Sequence, residues 1–426
     1  MRLTANEALE RLQGNGLARR AKGEPLHLLD RVRSRRQDRL FIFGRGGTAI
    51  VAPADDTLPP QVAEFDFESG VINPAAQLLM GDYANEVKVV QEGGIDDVWT
   101  PPTASPEGYV APLMGYIAWH QHEPFNDGLE FVEVKPTKGL VEKCIVGCPA
   151  TAVSMLMYFF AKNGWLRGCT ATNAYVSKLI DGYQFNVTPS SARMEFDYKN
   201  MLDVYTKRKG AKYVDVVAYT PEQAKAVADL CAQVGKAMQM YYSPTGSGQW
   251  PEQVVNAIEQ HLHLGKVTAY SQSSKTDQDT TYLDKVRASL ANGMPVLICG
   301  YTSTAKAASG HWFIADGYRP EDDTYHINWG WGIGFNNGWF KMSLLSYLKK
   351  ETSFNFSYKK TFLILDKPSW AMDVNGDGYI NMSDVTKVIN AGNSGEYVPP
   401  CDVNYDGKVD SGDTQEIINT ILGKKQ

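Results

Sequence analysis

The 426-residue chain has no apolar run of the roughly 20 residues needed to cross a bilayer, so no membrane span is expected. Its start, Met1-Arg-Leu-Thr-Ala-Asn-Glu-Ala-Leu-Glu-Arg-Leu, has the spacing of an amphipathic helix and not the pattern of a secretory leader. For an extracellular protein, the expectation is that a leader has been removed. A basic excess is missing too: Lys+Arg 42 against Asp+Glu 48 gives a net charge of -6, which argues against nucleic acid as the main partner. Cysteine is sparse, with six residues scattered at 144, 148, 169, 231, 299 and 401, so no disulfide framework can be read. Cys144 and Cys148, without a second pair or nearby histidines, make a poor zinc site. The cluster Gly44-x-Gly46-Gly47 is followed by neither a helix nor Lys-Ser/Thr, which excludes a phosphate loop.

What is present suffices for two or three domains, since 43% of the residues are hydrophobic. Helical spacing from Leu3 to about Leu12 is followed by an Arg-rich stretch, Arg19 to Arg39, expected to be a solvated loop or face. Two β-rich runs within Arg39 to Pro53 read as a hairpin, and Pro74 to about Glu86 as a helix. The Gly/Pro/Thr/Ser-rich segment from Gly93 to Pro112 suits an exposed linker. Helices are expected near Tyr175 to Gly182, Pro221 to Met240 and Pro251 to Leu264, with a loop from Tyr242 to Trp250 between the last two. From Leu283 onward a helix to Asn292 gives way to short β-runs ending in Lys360 to Asp366. An α-rich lobe and an antiparallel β-rich lobe result, with a cleft expected between them.

The chemistry centres on Lys143-Cys-Ile-Val-Gly-Cys-Pro-Ala-Thr-Ala-Val-Ser-Met-Leu-Met-Tyr158. Gly147 can take a backbone conformation closed to other residues, Pro149 suits a first helical turn, and the apolar run that follows reads as a buried helix. A thiol at such a helix start meets unpaired N–H groups and the positive end of the dipole, which favour the thiolate. A small buried packing cysteine is the plain alternative. A nucleophilic thiol needs a histidine to share its proton and a third group to hold the ring. Of seven histidines His311 is best placed, opening a β-run that ends at Asp316-Gly317. Asn328 on the next strand is a candidate acceptor for the imidazole N–H, with Trp329 and Trp331 shielding that bond. The other histidines stay open at this point: His326 beside the same tryptophans, His120 and His122 in a loop, His261 and His263 on a surface helix, and His27 in the first unit.

Gly147-Cys-Pro-Ala-Thr-Ala, Gly310-His-Trp-Phe-Ile-Ala-Asp-Gly and Tyr325-His-Ile-Asn-Trp-Gly-Trp-Gly, in this order, resemble the streptopain family of papain-like cysteine peptidases. Trp119-His-Gln-His-Glu-Pro-Phe-Asn126 is similar to the segment carrying that family's oxyanion glutamine. The resemblance implies Cys148 as nucleophile, His311 as general base and then acid, Gln121 with the Cys148 N–H as oxyanion donors, and Asn328 or Trp329 as third catalytic element. An amide suits an oxyanion because it offers N–H without changing charge. The loop Ser243 to Trp250, with Ser247, corresponds to a mobile loop beside the family's substrate cleft, and Gly310 to a residue lining it. A hydrophobic side chain two residues before the cut is the family's usual preference. Leu3 to about Glu86 is similar to the family's propeptide, which inhibits in cis. Two departures stand out: Pro149 replaces a small aliphatic residue, harmlessly at a helix start, and Trp312 replaces alanine, with a narrowed cleft as the expectation. Cys144, outside the motif, is expected to be a spare thiol.

Two tandem stretches repeat one spacing: Asp373, Asn375, Asp377, Tyr379, Asn381, Asp384 and Asp402, Asn404, Asp406, Lys408, Asp410, Asp413. Oxygen ligands at positions one, three, five, nine and twelve, a backbone carbonyl at seven and Gly at six form a twelve-residue calcium loop. Each ends in Asp where an ordinary EF-hand has Glu. With helices expected near Val385 to Ala391 and Thr414 to Leu422, the pair resembles a dockerin. That resemblance implies two Ca2+ ions and a cohesin partner chosen by positions ten and eleven: Met382 and Ser383, Ser411 and Gly412.

The expected whole is α+β: a small α+β inhibitory propeptide (1–105), a papain-like two-lobed catalytic domain (106–368) and a small α-helical dockerin (369–426). It reads as a secreted or surface-docked cysteine endopeptidase made as a zymogen and acting on protein or peptide, with no catalytic cofactor. The alternative from another class is a calcium-dependent docking protein with an inactive peptidase-like domain; complete Cys-His-Gln motifs count against it. A papain-like amidase would share the residues and differ in substrate.

Overall fold

The computed structural model describes residues 2–14, 25–67, 70, 72, 74–92, 108–135, 140–163, 165–166, 169–170, 173–177, 184–188, 193–209, 212–271, 281–301, 310–333, 337–342, 358–366, 372–375, 380–395, 398, 401–404 and 408–422. Helix α1 (Ala5–Gly14) starts at a reciprocal cap, in which Thr4 Oγ1 accepts the Glu7 N–H and the Glu7 carboxylate accepts the Thr4 N–H. Ala8 and Leu12 on its inner face pack with Phe41, Phe43 and Ile50.

The second half of the arginine-rich stretch is a solvated face and not a loop. It is strand β1 (His27–Ser34), hairpinned to β2 (Gln37–Arg45) through Arg35 and Arg36, both at positive φ. Two arginines in a left-handed turn give no turn cue, and a largely exposed edge strand shows no apolar alternation. Arg31 and Arg33 pair with Asp38 at 2.9 and 2.6 Å; such exposed pairs contribute about 0–1 kcal/mol each. Strands β3 (Thr48–Pro53) and β4 (Ala63–Asp66) and helix α2 (Pro74–Gln91) complete this unit.

Next come small antiparallel pairs: β5 (Phe131–Lys135) with β6 (Leu140–Lys143), β7 (Cys169–Thr170) with β10 (Arg193–Met194), β8 (Tyr175–Val176) with β9 (Asn186–Val187), and β11 (Thr206–Lys209) with β12 (Lys212–Asp215). Tyr175–Val176 therefore begins as strand where a helix was expected, the long-range partner at Asn186–Val187 overriding local spacing. Among them lies α3 (Cys148–Lys162), then α4 (Pro221–Ala237), set by a Thr220/Gln223 capping box. Helix α5 (Pro251–Asn256) passes into a π-helical turn, Ala257–His261, so the helix expected to Leu264 changes winding. Helix α6 is Thr281–Ala291.

The remaining strands are β13 (Val267–Ser271), β14 (Val296–Tyr301), β15 (Gly310–Arg319), β16 (Thr324–Asn328), β17 (Gly338–Phe340) and β18 (Tyr358–Leu365). With the first four they form one antiparallel sheet, ordered β1-β2-β3-β4-β17-β16-β15-β14-β18-β13. Alternation along its central strands divides the core. Leu297, Cys299, Trp312, Ile314 and Leu363 face α3 and α4, whereas Val296, Ile298, Phe313, Ala315 and Phe362 share the other core with residues of α2 and α6. Strands buried on both faces read as near-continuous apolar runs, as Pro295-Val-Leu-Ile-Cys does.

The first unit is thus joined to the β lobe by main-chain pairing. Gly338 pairs with Phe65 and Phe340 with Ala63. Phe65 stacks on Phe340 at 5.8 Å, Arg319 holds Glu64 at 3.0 Å, and Tyr83 Oη donates to the Lys341 carbonyl at 2.8 Å. The expected divisions at 105/106 and 368/369 lie outside the described residues. At the end of the expected linker Val110 bridges to Tyr318, and just past it Leu113 N donates to the Asp316 carbonyl, so both residues already belong to the β lobe. At the C-terminus α7 (Met382–Ser394) and α8 (Ser411–Ile421) pack around Val385, Val388, Cys401, Val403 and Ile417. Among the described residues no helix is long and apolar enough to cross a membrane.

The joint is tightest at Gly338. A Cβ there would overlap the Glu64 carbonyl and sit 2.6 Å from Phe65 Cα, both main-chain atoms that cannot step aside. Gly338→Ala should lower the stability of the joined sheet by about 1–3 kcal/mol, seen as an earlier urea transition in a Cys148→Ala background. An unchanged midpoint would mean that β4 does not sit on β17.

Candidate active site

Cys148 is the first residue of α3; the residue as a whole is half-buried, while its sulfur points inward. Gly147 caps the helix at φ +86°, where a Cβ would meet Met240 Cε at 2.5 Å and the Ser247 carbonyl at 2.7 Å, so a side chain is excluded both by conformation and by space. Pro149 occupies the first turn as expected. The N–H of Trp312 and the N–H of Cys148 itself hydrogen-bond the sulfur, which lowers its pKa, but burial outweighs them and pushes the thiol up to about 11. Taking the sulfur out of water favours its neutral form, and the two N–H groups oppose that by favouring the charge. Cys144 is a buried thiol pushed up to about 12, also by burial.

Trp312 brings the histidine. His311, one residue earlier on β15, is buried, and its Nε2 lies 2.9 Å from the Trp329 carbonyl. A carbonyl only accepts, so Nε2 carries the proton and the lone pair of the neutral ring is on Nδ1. The Trp331 ring lies 4.8 Å from the imidazole. Asn328 does not hold the ring. Its Nδ2 donates to the Ile117 carbonyl at 2.7 Å and its Oδ1 accepts the Gly330 N–H at 3.1 Å, which ties the tryptophan loop to the segment before Gln121. Trp329 is itself placed by Asn337, whose side-chain oxygen accepts its N–H at 2.9 Å. Asn337 was missed because nothing in an isolated Asn-Asn-Gly stretch tells a turn residue from a support.

Gln121 is half-buried, and its carbonyl accepts the Val146 N–H at 3.0 Å, two residues before the thiol. Gly332 N donates to the Trp119 carbonyl, closing the same region from the other side. Gly310 is exposed at the head of β15, opposite Tyr301. Ser247 is buried and turned into its own loop: its Oγ accepts the Ser243 N–H and donates to the Ser243 carbonyl. Trp312, expected to narrow a cleft, is buried and donates its indole N–H to the Gln249 carbonyl at 3.3 Å, fastening the 243–250 loop to β15. Of the other histidines, His326 is a strand residue whose Nδ1 meets Asp316 Oδ1 at 2.6 Å, and His120 is buried.

In the C-terminal unit the twelfth residue of each repeat is buried and caps its loop. Asp384 accepts the N–H groups of Asn375 and Asn381, and Asp413 those of Val403, Asn404 and Asp410. Asn381 and Asp410 are the N-caps, which is why both helices begin earlier than their apolar spacing suggests. Asp377, Tyr379 and Asp406 lie outside the described residues; Asn404 and Lys408 are described.

A profile of the peptidase C10 family matches residues 119–340, more than half of the chain. The chain belongs to the peptidase C10 family. Residues 371–422 of this C10 member match the Dockerin type I domain. It is 26% identical over 323 residues to the thiol protease/hemagglutinin PrtT of Porphyromonas gingivalis, a span covering 72% of this chain and 34% of that protein. It is 26% identical over 236 residues to streptopain of Streptococcus pyogenes, covering 54% of each. The chain thus spans about a third to a half of the curated relatives it matches. Among solved structures, a fragment of prointerpain A from Prevotella intermedia superposes with a TM-score of 0.59 at 21% identity, over 80% of this chain and all of that one. The expected papain-like two-lobed fold is the fold observed.

Burial holds His311 down at about 4 and His120 at about 3. The unfolded chain takes up those protons near pH 6.5, so between these values it binds more protons than the folded chain. Stability of the Cys148→Ala protein should accordingly fall as pH drops from about 6.5 towards 4, and His311→Asn should flatten part of that slope. Urea midpoints measured across the window check this; a slope unaltered by the substitution would contradict the burial of the ring.

Proposed function

We propose that this C10 member is a thiol-dependent endopeptidase with Cys148 as nucleophile. The observation that carries it is the meeting of the α3 thiol with the Trp312 N–H, one residue from a histidine whose tautomer is set by the Trp329 carbonyl. As a peptide carbonyl approaches, His311 Nδ1 takes the thiol proton while the sulfur bonds to carbon. The oxygen of the tetrahedral intermediate is met by the Gln121 amide and the Cys148 N–H. His311 then gives its proton to the leaving amine, and water, activated by the same ring, releases the acyl group. Trp329 is the third element in this reading, acting through its carbonyl, and Asn328 braces the loop. Gly310 lines the cleft mouth, and Ser247 shapes the loop beside it.

The N-terminal unit is proposed to be an inhibitory propeptide that leaves on activation, and residues 371–422 a calcium-loaded dockerin that attaches the enzyme to a cohesin outside the cell. Asp373, Asp384, Asp402 and Asp413 are all buried. Carboxylates are rarely buried without compensating charge, and two divalent cations would supply it. Asp373, Asn375, Asp377, Tyr379, Asn381 and Asp384 would hold one ion, and Asp402, Asn404, Asp406, Lys408, Asp410 and Asp413 the other, Tyr379 and Lys408 through their carbonyls.

Incubation at neutral pH with a reductant should remove roughly the N-terminal quarter of the wild-type chain, read by intact mass. Cys148→Ala should keep its full mass, cleave no casein and take no label from an epoxide thiol inhibitor. Casein cleavage by that variant would refute the assignment. Calcium should raise the unfolding temperature of the C-terminal unit in the full Cys148→Ala chain, with about 2.7 kcal/mol gained at 100 times Kd. Replacing both Asp384 and Asp413 with Asn should abolish that response; a response that survives would remove calcium from these loops.

A further inference from the structure

We propose that His120 is a positioning residue that holds the Gln121 amide in the oxyanion site, a role that rests on the active-site reading above. His120 is buried, and both ring nitrogens are committed. Nδ1 accepts the N–H of His122 at 3.2 Å, so the side chain of the residue before Gln121 bonds the main chain of the residue after it. This closes a tight turn with Gln121 at its apex, as an Asn side chain does in an Asx turn. A backbone N–H only donates, so Nδ1 is unprotonated and Nε2 carries the proton, which it gives to Thr206 Oγ1. The Thr206 hydroxyl passes its own hydrogen to the Glu123 carbonyl at 3.4 Å. Every donor in the chain thus finds an acceptor, but only with a neutral ring.

Packing fixes the ring as firmly. It stacks on Tyr213 at 4.1 Å and takes the edge of Phe125 at 4.7 Å. Gly332, at φ +85°, lies so close that a Cβ there would be 3.0 Å from His120 Cδ2. The same imidazole therefore backs the Trp331-Gly332 turn beside His311. With the Gln121 carbonyl tied to Val146 N–H, the glutamine's main chain is held on both sides, which limits where its side chain can start. Burial keeps the ring neutral far below working pH, as the turn requires.

The test compares His120→Leu, His120→Asn and Thr206→Val in the full chain activated with reductant, with active sites counted by epoxide labelling. His120→Leu should lower kcat on a peptide amide roughly 10–100-fold, below the loss from removing an oxyanion donor outright, with KM changed less than about threefold. A peptide aldehyde, whose hemithioacetal oxygen occupies the oxyanion site, should bind weaker by a similar factor. Alkylation of Cys148 by iodoacetamide, which expels iodide and forms no oxyanion, should keep its rate within about twofold. His120→Asn, whose amide oxygen can close the same turn, should restore most of kcat. Thr206→Val should reproduce the pattern in milder form and serves where His120→Leu fails to fold. In a Gln121→Ala background His120→Leu should add no loss. Alkylation falling in step with kcat, an unchanged kcat, or losses that add to that of Gln121→Ala would each overturn the proposal. Wild-type protein that cleaves nothing would instead sink the active-site reading beneath it.

Discussion

The bond from His311 to the Trp329 carbonyl is the constraint on which the rest of the site hangs. It runs between the start of β15 and the residue after β16, so it exists only in the register that pairs Ile314 with Asn328. A slip of one residue would turn every side chain of β16 to the opposite face. Asn328 would leave the Ile117 carbonyl, and the segment leading to Gln121 would lose its tether. The large buried rings Trp329, Phe340 and Phe65 pack on one another on the opposite face from α3, and a slip would pull them apart.

The two faces of the central sheet divide the labour. On one, α3 delivers a thiol to the end of β15 while its own side chains fill the core with those of α4. On the other, aromatic rings from β16, β17 and β4 support the tryptophan that aims the histidine. The thiol and the imidazole thus come from opposite faces of the sheet to the head of one strand. Helix α2 and one face of the N-terminal strands belong to the second core, while α1 covers their other face.

Much of this was legible in the residues. Gly147-Cys-Pro announces a helix beginning at a thiol because each type answers a backbone demand, and the apolar run after it could only be buried. Gly310-His-Trp and Asn328-Trp-Gly-Trp-Gly were legible as strand ends. The partner of the imidazole was not. Asn328 was the obvious acceptor by side chain, but the acceptor is a main-chain carbonyl, which every residue owns and no sequence marks. The burial of the thiol was hidden for a related reason: helix-start N–H groups are visible in a motif, whereas burial depends on elements distant in sequence, such as Trp312, whose N–H reaches the sulfur. β1 was hidden because edge strands carry no apolar alternation, and His120 because its importance lies in what its ring bonds two residues on.

The three residues of β17 carry one more implication. Their outward N–H and C=O groups are satisfied by β4, and Phe340 is covered by Phe65. Were the first unit to depart, a raw hydrogen-bonding row and an apolar ring would face water together, an invitation for another chain to add itself there. The row is short and glycine-led, which limits how well a foreign strand could pair with it.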